Sequence, residues 1–185
     1  MDDRGTYAIE RLKFSFQRVT LTTVFLRTYT LIHVLISLLA LLSGLVVLGG
    51  LLTANRFEAW TKLFLTMTIL TSVSGFFFPF HGITPARVVG AISLVVLGVA
   101  IFASYRRHLA GAWRKAYVAS ALLALYLNVL VLIVQAFKRI PALKQVAPMQ
   151  NEPPFKITQV VILITFIVLG VVAANRFHLE PGSPF

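Results

Sequence analysis

Residues 116–137 read AYVASALLALYLNVLVLIVQAF, with Arg114-Lys115 before them and Lys138-Arg139 after them. No Asp, Glu, Lys or Arg interrupts the stretch. About 20 predominantly apolar residues in a helix cross the roughly 30 Å hydrocarbon core of a bilayer, and cations at both ends suit its two interfaces. The stretch reads as a membrane span, and it decides how the rest of the chain is read.

Four more stretches follow the same rule: residues 30–53, 61–80, 84–105 and 157–174. Each ends in punctuation, at Asn55-Arg56, His81-Gly82, Arg106-Arg107 and Asn175-Arg176. No window alternates with period two over a strand length, which leaves a β-barrel without support. The expected fold is an all-α membrane protein, a bundle of five transmembrane helices in residues 30–177, with 178–185 as a short C-terminal tail. Composition agrees. Of 185 residues 58% are hydrophobic and 12% charged, and mean hydropathy is +0.85; a soluble domain carries about twice that charged fraction.

Residues 1–29 differ. They mix Asp2, Asp3 and Glu10 with Arg4, Arg11, Lys13, Arg18 and Arg27, while Ile9, Leu12, Phe16 and Val19 recur on one helical face. No continuous apolar core of a signal peptide is present. The segment is expected to form a basic amphipathic helix at the membrane surface.

The net charge of +11 comes from 17 Lys and Arg against 6 Asp and Glu. On a chain this apolar the excess points to the lipid bilayer as partner, since cations flank spans and meet anionic head groups. No solvated basic face of the kind that binds nucleic acid is evident. Five spans place Arg87, Lys138, Arg139, Lys144 and Lys156 on the same side as the basic segment. Arg56, Lys62, Arg106, Arg107, Arg114, Lys115 and Arg176 fall on the other side, with Trp60 and Trp113. The first side has more cations with the segment and fewer without it, so orientation is left open. Gly50–Phe57 and Gly170–Phe177 share Gly, Ala, Asn, Arg and Phe at matching positions. Helix-end chemistry accounts for that echo without an internal duplication.

Function is read largely by exclusion. The chain has no cysteine, which removes disulfides and thiolate chemistry. No ionisable Asp, Glu, Lys or Arg lies deep in a span, against an ion-coupled transporter, a pump or a voltage sensor. No catalytic constellation is visible, and the reading leans away from an enzyme. The polar exceptions gather near one face: His33, His81, Gln135, Glu152 and Gln159, with Asn128 midway along the fourth span. Asn128 and Gln135 share the stripe Tyr117, Ala121, Ala124, Asn128, Val131, Gln135. The segment from Lys138 to Lys156 is expected to be a connector stiffened into extended or polyproline-like backbone by Pro148, Pro153 and Pro154. With Glu152 and Phe155 it would act as a lid or partner surface.

The stretches LYLNVLVLIVQAF (125–137), IPAL (140–143) and APMQNEPPF (147–155) resemble an uncharacterised family of small multi-pass bacterial membrane proteins. GFFFPFHGITPARVVGAISLVVLGVAIFASY (75–105) and HLAGAWR (108–114) resemble it too. The likeness covers about residues 31–177 and departs at Met149, where that family more often carries Thr. It implies a multi-pass protein of the bacterial inner membrane and no established activity.

The expected role is a non-enzymatic accessory or scaffold component that binds a partner or an apolar small molecule through Asn128, Gln135, Glu152, Phe155 and Gln159. The partner would be another membrane protein or a second copy in a homo-oligomer. One alternative is a redox protein that binds haem b through His33 and His81 and quinone at Asn128 and Gln135. It must absorb a depth difference of about one helical turn, roughly 5.4 Å. Another is an uncoupled carrier or lipid-handling protein with a cavity around Asn128.

Overall fold

The computed structural model describes residues 3–79, 82 and 84–177, with side chains described from residue 16 onward apart from Val19. Among them every regular element is helical: α1 (Asp3–Leu52), α2 (Glu58–Phe76), α3 (Pro85–Ile101), α4 (Ala112–Arg139), α5 (Pro141–Val146) and α6 (Pro153–Arg176). Phe102–Arg106 continue α3 as a π-turn. Four segments are long and apolar enough to cross a membrane: Phe16–Leu52, Pro85–Arg106, Ala112–Arg139 and Pro153–Arg176. The second expected span is helical but less apolar, because α2 carries Glu58, Lys62 and the hydroxyls of Thr61, Thr66, Thr68, Thr71, Ser72 and Ser74.

Packing divides the chain into two compact units, residues 1–35 and 36–185. The first is helical from Asp3 onward, and α1 has no break at residue 29. Between Thr6 and Ser43 there is neither Gly nor Pro to stop it. Its hydroxyls turn back onto their own helix: Thr20 donates to Phe16 O at 2.9 Å, Thr22 to Arg18 O at 2.9 Å and Thr30 to Leu26 O at 2.7 Å. Phe25 and Tyr29 stack one turn apart, with centroids 6.3 Å from each other.

In the second unit α3 packs on α2 and α4, and α4 packs on α6. Helix α2 turns Thr61, Phe64, Leu65, Thr68 and Ser72 inward. Small polar residues let helices approach closely, and hydroxyls satisfy themselves within or across the contact. At Gly44 of α1 the approach is closest, since an added Cβ would lie 2.5 Å from Leu125 Cδ1 and 2.9 Å from Phe64 Cε2.

Helix ends follow local chemistry. Helix α2 stops at Phe76 rather than running to residue 80, because Pro79 disfavours helical backbone before it. Thr84 caps α3, its hydroxyl accepting from Arg87 N–H at 3.4 Å, with Pro85 in the first turn. Arg87 staples the preceding turn, Nη1 donating to Gly82 O at 2.6 Å and Nη2 to Phe78 O at 3.3 Å. The segment after α4 corrects the expectation of an extended connector. Pro141 opens α5, and Pro153 and Pro154 open α6. A proline ring is preset for the first helical turn, where no N–H is needed.

Candidate functional site

On α4, Tyr126, Leu130 and Val134 recur every four residues and form one wall of a groove. On α6, Phe155, Gln159 and Leu163 do the same and form the facing wall, with Val160 beside them. The cavity between the walls measures about 330 Å³. Its lining is almost wholly apolar, and Gln159 Oε1 is buried with no hydrogen-bond partner among the described residues. Tyr126 also meets Phe166 edge-on, with centroids 5.7 Å apart.

The segment between α4 and α6 is tied over one end of this groove. Gln150, at φ +57°, donates its amide Nε2–H to Val134 O at 2.8 Å. Phe137 and Phe155 meet edge-to-face with centroids 5.2 Å apart, and Ala147 is fully buried. Glu152 folds the same segment onto itself: Met149 N–H donates to Oε1 at 3.0 Å and Asn151 N–H to Oε2 at 2.9 Å. The Met149 N–H, followed by that of Asn151, holds the Glu152 carboxyl below the usual glutamate range. Glu152 thus fastens the turn, and its carboxylate oxygens are turned to backbone rather than to the groove.

The structure brings together two of the expected site residues, Phe155 and Gln159. Asn128 lies elsewhere, between helices, donating from Nδ2 to Thr68 Oγ1 of α2 at 3.2 Å. Gln135 is exposed near the end of α4. Its stripe on α4 is buried at Tyr117, Ala121 and Ala124 and opens beyond Asn128. His33 belongs to the first packing unit, and His81 lies outside the described residues. Among the described residues no three His, Asp or Glu side chains come together in a metal-binding group.

Sequence reasoning missed Tyr126, Leu130, Val134, Val160 and Leu163, and it missed Gln150 as the tie. The signal was present as two apolar stripes at four-residue spacing, one on α4 and one on α6. Each also reads as ordinary span surface until the two are known to face each other. Set against models of known protein families, curated proteins and solved structures, the chain matches none.

Proposed function

We propose that this chain is a five-span, multi-pass protein of the bacterial inner membrane that holds an apolar small molecule between α4 and α6. Helix α2 is read as the fifth crossing. Its 19 residues reach roughly 28 Å at a 1.5 Å rise, and it packs along α3 with its hydroxyls turned inward. The role is that of a non-enzymatic accessory component.

One observation carries the choice of occupant: the buried, unpartnered Oε1 of Gln159 in a wall that is otherwise apolar. An acceptor left unpaired in an apolar setting is costly, and buried polar atoms nearly always have a partner. The occupant is therefore an apolar molecule with one hydrogen-bond donor, a hydroxyl or N–H, placed at Gln159. A volume of about 330 Å³ lies at the lower end of the range that small-molecule sites occupy.

The test is mass spectrometry of the protein extracted from its own membranes in mild detergent, comparing wild type with Gln159→Leu. The expected result is a small apolar molecule on the wild type and about tenfold less on the variant, the equivalent of one hydrogen bond. Equal retention by both, or lipid alone on both, overturns the reading.

A further inference from the structure

At the end of the second unit away from the proline segment, cations outnumber the described carboxylates. Arg56 sits in the turn after α1 and reaches the π-turn, its Nη2 donating to Ser104 Oγ at 2.8 Å. Its Nε is buried and has no acceptor. Arg114, in the first turn of α4, also has a buried Nε without an acceptor, and its side chain makes no hydrogen bond or ion pair among the described residues. Arg107 lies over the Trp113 ring at 5.2 Å and over Phe102 at 5.6 Å. Ser104 belongs to the π-turn that packs against α4, and Arg114 stands in the first turn of that helix. The two guanidinium groups therefore belong to one end of the bundle.

Three further facts set this cluster apart. The first turn of α4 has no acidic residue, although the helix dipole favours negative charge there. The only described carboxylate nearby, Glu58, is taken by Lys62 at 3.9 Å. Arg87 at the opposite end also has a buried Nε, but its other nitrogens hold two backbone carbonyls. Among the described residues the Arg56 side chain is left with one hydroxyl, and that of Arg114 with no hydrogen-bond partner. Guanidinium N–H groups of this kind pair best with a phosphate, through charge-assisted and often bidentate bonds.

We propose that Arg56 and Arg114, fixed by the π-turn and the start of α4, form a binding site for a phosphate group, presented as the head group of an anionic lipid. Ser104 holds Arg56 in place, and Arg107 on Trp113 adds positive charge beside the site. The site is separate from the α4–α6 groove, so neither proposal depends on the other.

The test uses the full chain in nanodiscs of phosphatidylcholine mixed with phosphatidylglycerol, followed by native mass spectrometry of the lipid it retains. Arg114→Gln is the main variant, because among the described residues the Arg114 side chain makes no hydrogen bond or ion pair for the substitution to break. Retained phosphatidylglycerol is expected to fall about tenfold, as for a lost charged hydrogen bond. Arg56→Gln should do the same, while Arg139→Gln at the other end should leave retention unchanged. Inorganic phosphate is then titrated into the wild type. Displacement of the lipid shows that the site also accepts free phosphate, and no displacement shows that it needs the lipid-borne head group; both uphold the site. Retention by Arg114→Gln equal to wild type, or an equal loss in Arg139→Gln, overturns it.

Discussion

Asn128 of α4 donates to the hydroxyl of Thr68 of α2 at 3.2 Å, and Thr68 is fully buried. The bond ties the least apolar long helix to the most central one. Interhelical hydrogen bonds of this kind contribute about 0.6 kcal/mol on average and up to ~1.7 kcal/mol. A double-mutant cycle with Asn128→Leu and Thr68→Val should return a coupling energy in that range, read from unfolding in mixed micelles. Coupling indistinguishable from zero would show that the two side chains act independently.

Gly44 and Gly49 lie on the same helix and make opposite predictions. A Cβ at Gly44 collides with Leu125 and Phe64, whereas at Gly49 nothing lies within 4 Å. Gly44→Ala should destabilise by about 1–3 kcal/mol through overpacking. Gly49→Ala should be neutral or stabilising by up to about 1 kcal/mol, because Ala favours the helix. Thermal or denaturant unfolding of the two variants side by side checks this, and equal effects would refute the close approach of α1.

Glu152 carries a pH dependence whose sign follows from its hydrogen bonds. The N–H groups of Met149 and Asn151 favour the carboxylate and lower its pKa from the ordinary 4.5. The fastening is complete above that ordinary value and is lost as pH falls through the lower, folded value. Hydrogen exchange at the Met149 and Asn151 amides, corrected for intrinsic rate, should accelerate on acidification. Glu152→Gln should exchange fast at every pH, and a pH-dependent variant would contradict the assignment.

Arg87 holds the turn between α2 and α3 through the carbonyls of Gly82 and Phe78. Hydrogen bonds to charged groups are worth about 1.5–3 kcal/mol. Arg87→Ala should expose Phe77 and Phe78 to chymotrypsin several-fold faster than wild type, as local opening becomes easier. An unchanged cleavage rate would mean the turn is held by other contacts.

Most helix limits were legible where one residue type has one physical meaning. Thr84-Pro85 starts α3, Asn55-Arg56 lies in the turn after α1, and Asn175-Arg176 closes α6. Helix α1 continues through Arg18 and Arg27, because side chains of that length do not break a helix. Prolines carry two meanings: Pro153 and Pro154, expected to stiffen a connector, open α6, and Pro141 opens α5. The groove was hidden for a different reason. Polar residues look like its markers, but Asn128 is spent on Thr68 and Glu152 on the backbone. What forms the groove is the shape between two apolar stripes, and periodicity cannot say which stripes will meet.

Helix α6 is packed chiefly against α4, and of its own residues only Ala173 is fully enclosed. Val160 and Leu163 line the groove and are themselves exposed. The opening thus faces sideways, toward whatever surrounds the helices, rather than along their axes. On the proposed function, a molecule entering there comes from the hydrocarbon phase and need never be dissolved in water. Its occupancy follows its mole fraction in the membrane, so dilution of the aqueous buffer leaves it bound while added lipid competes it away.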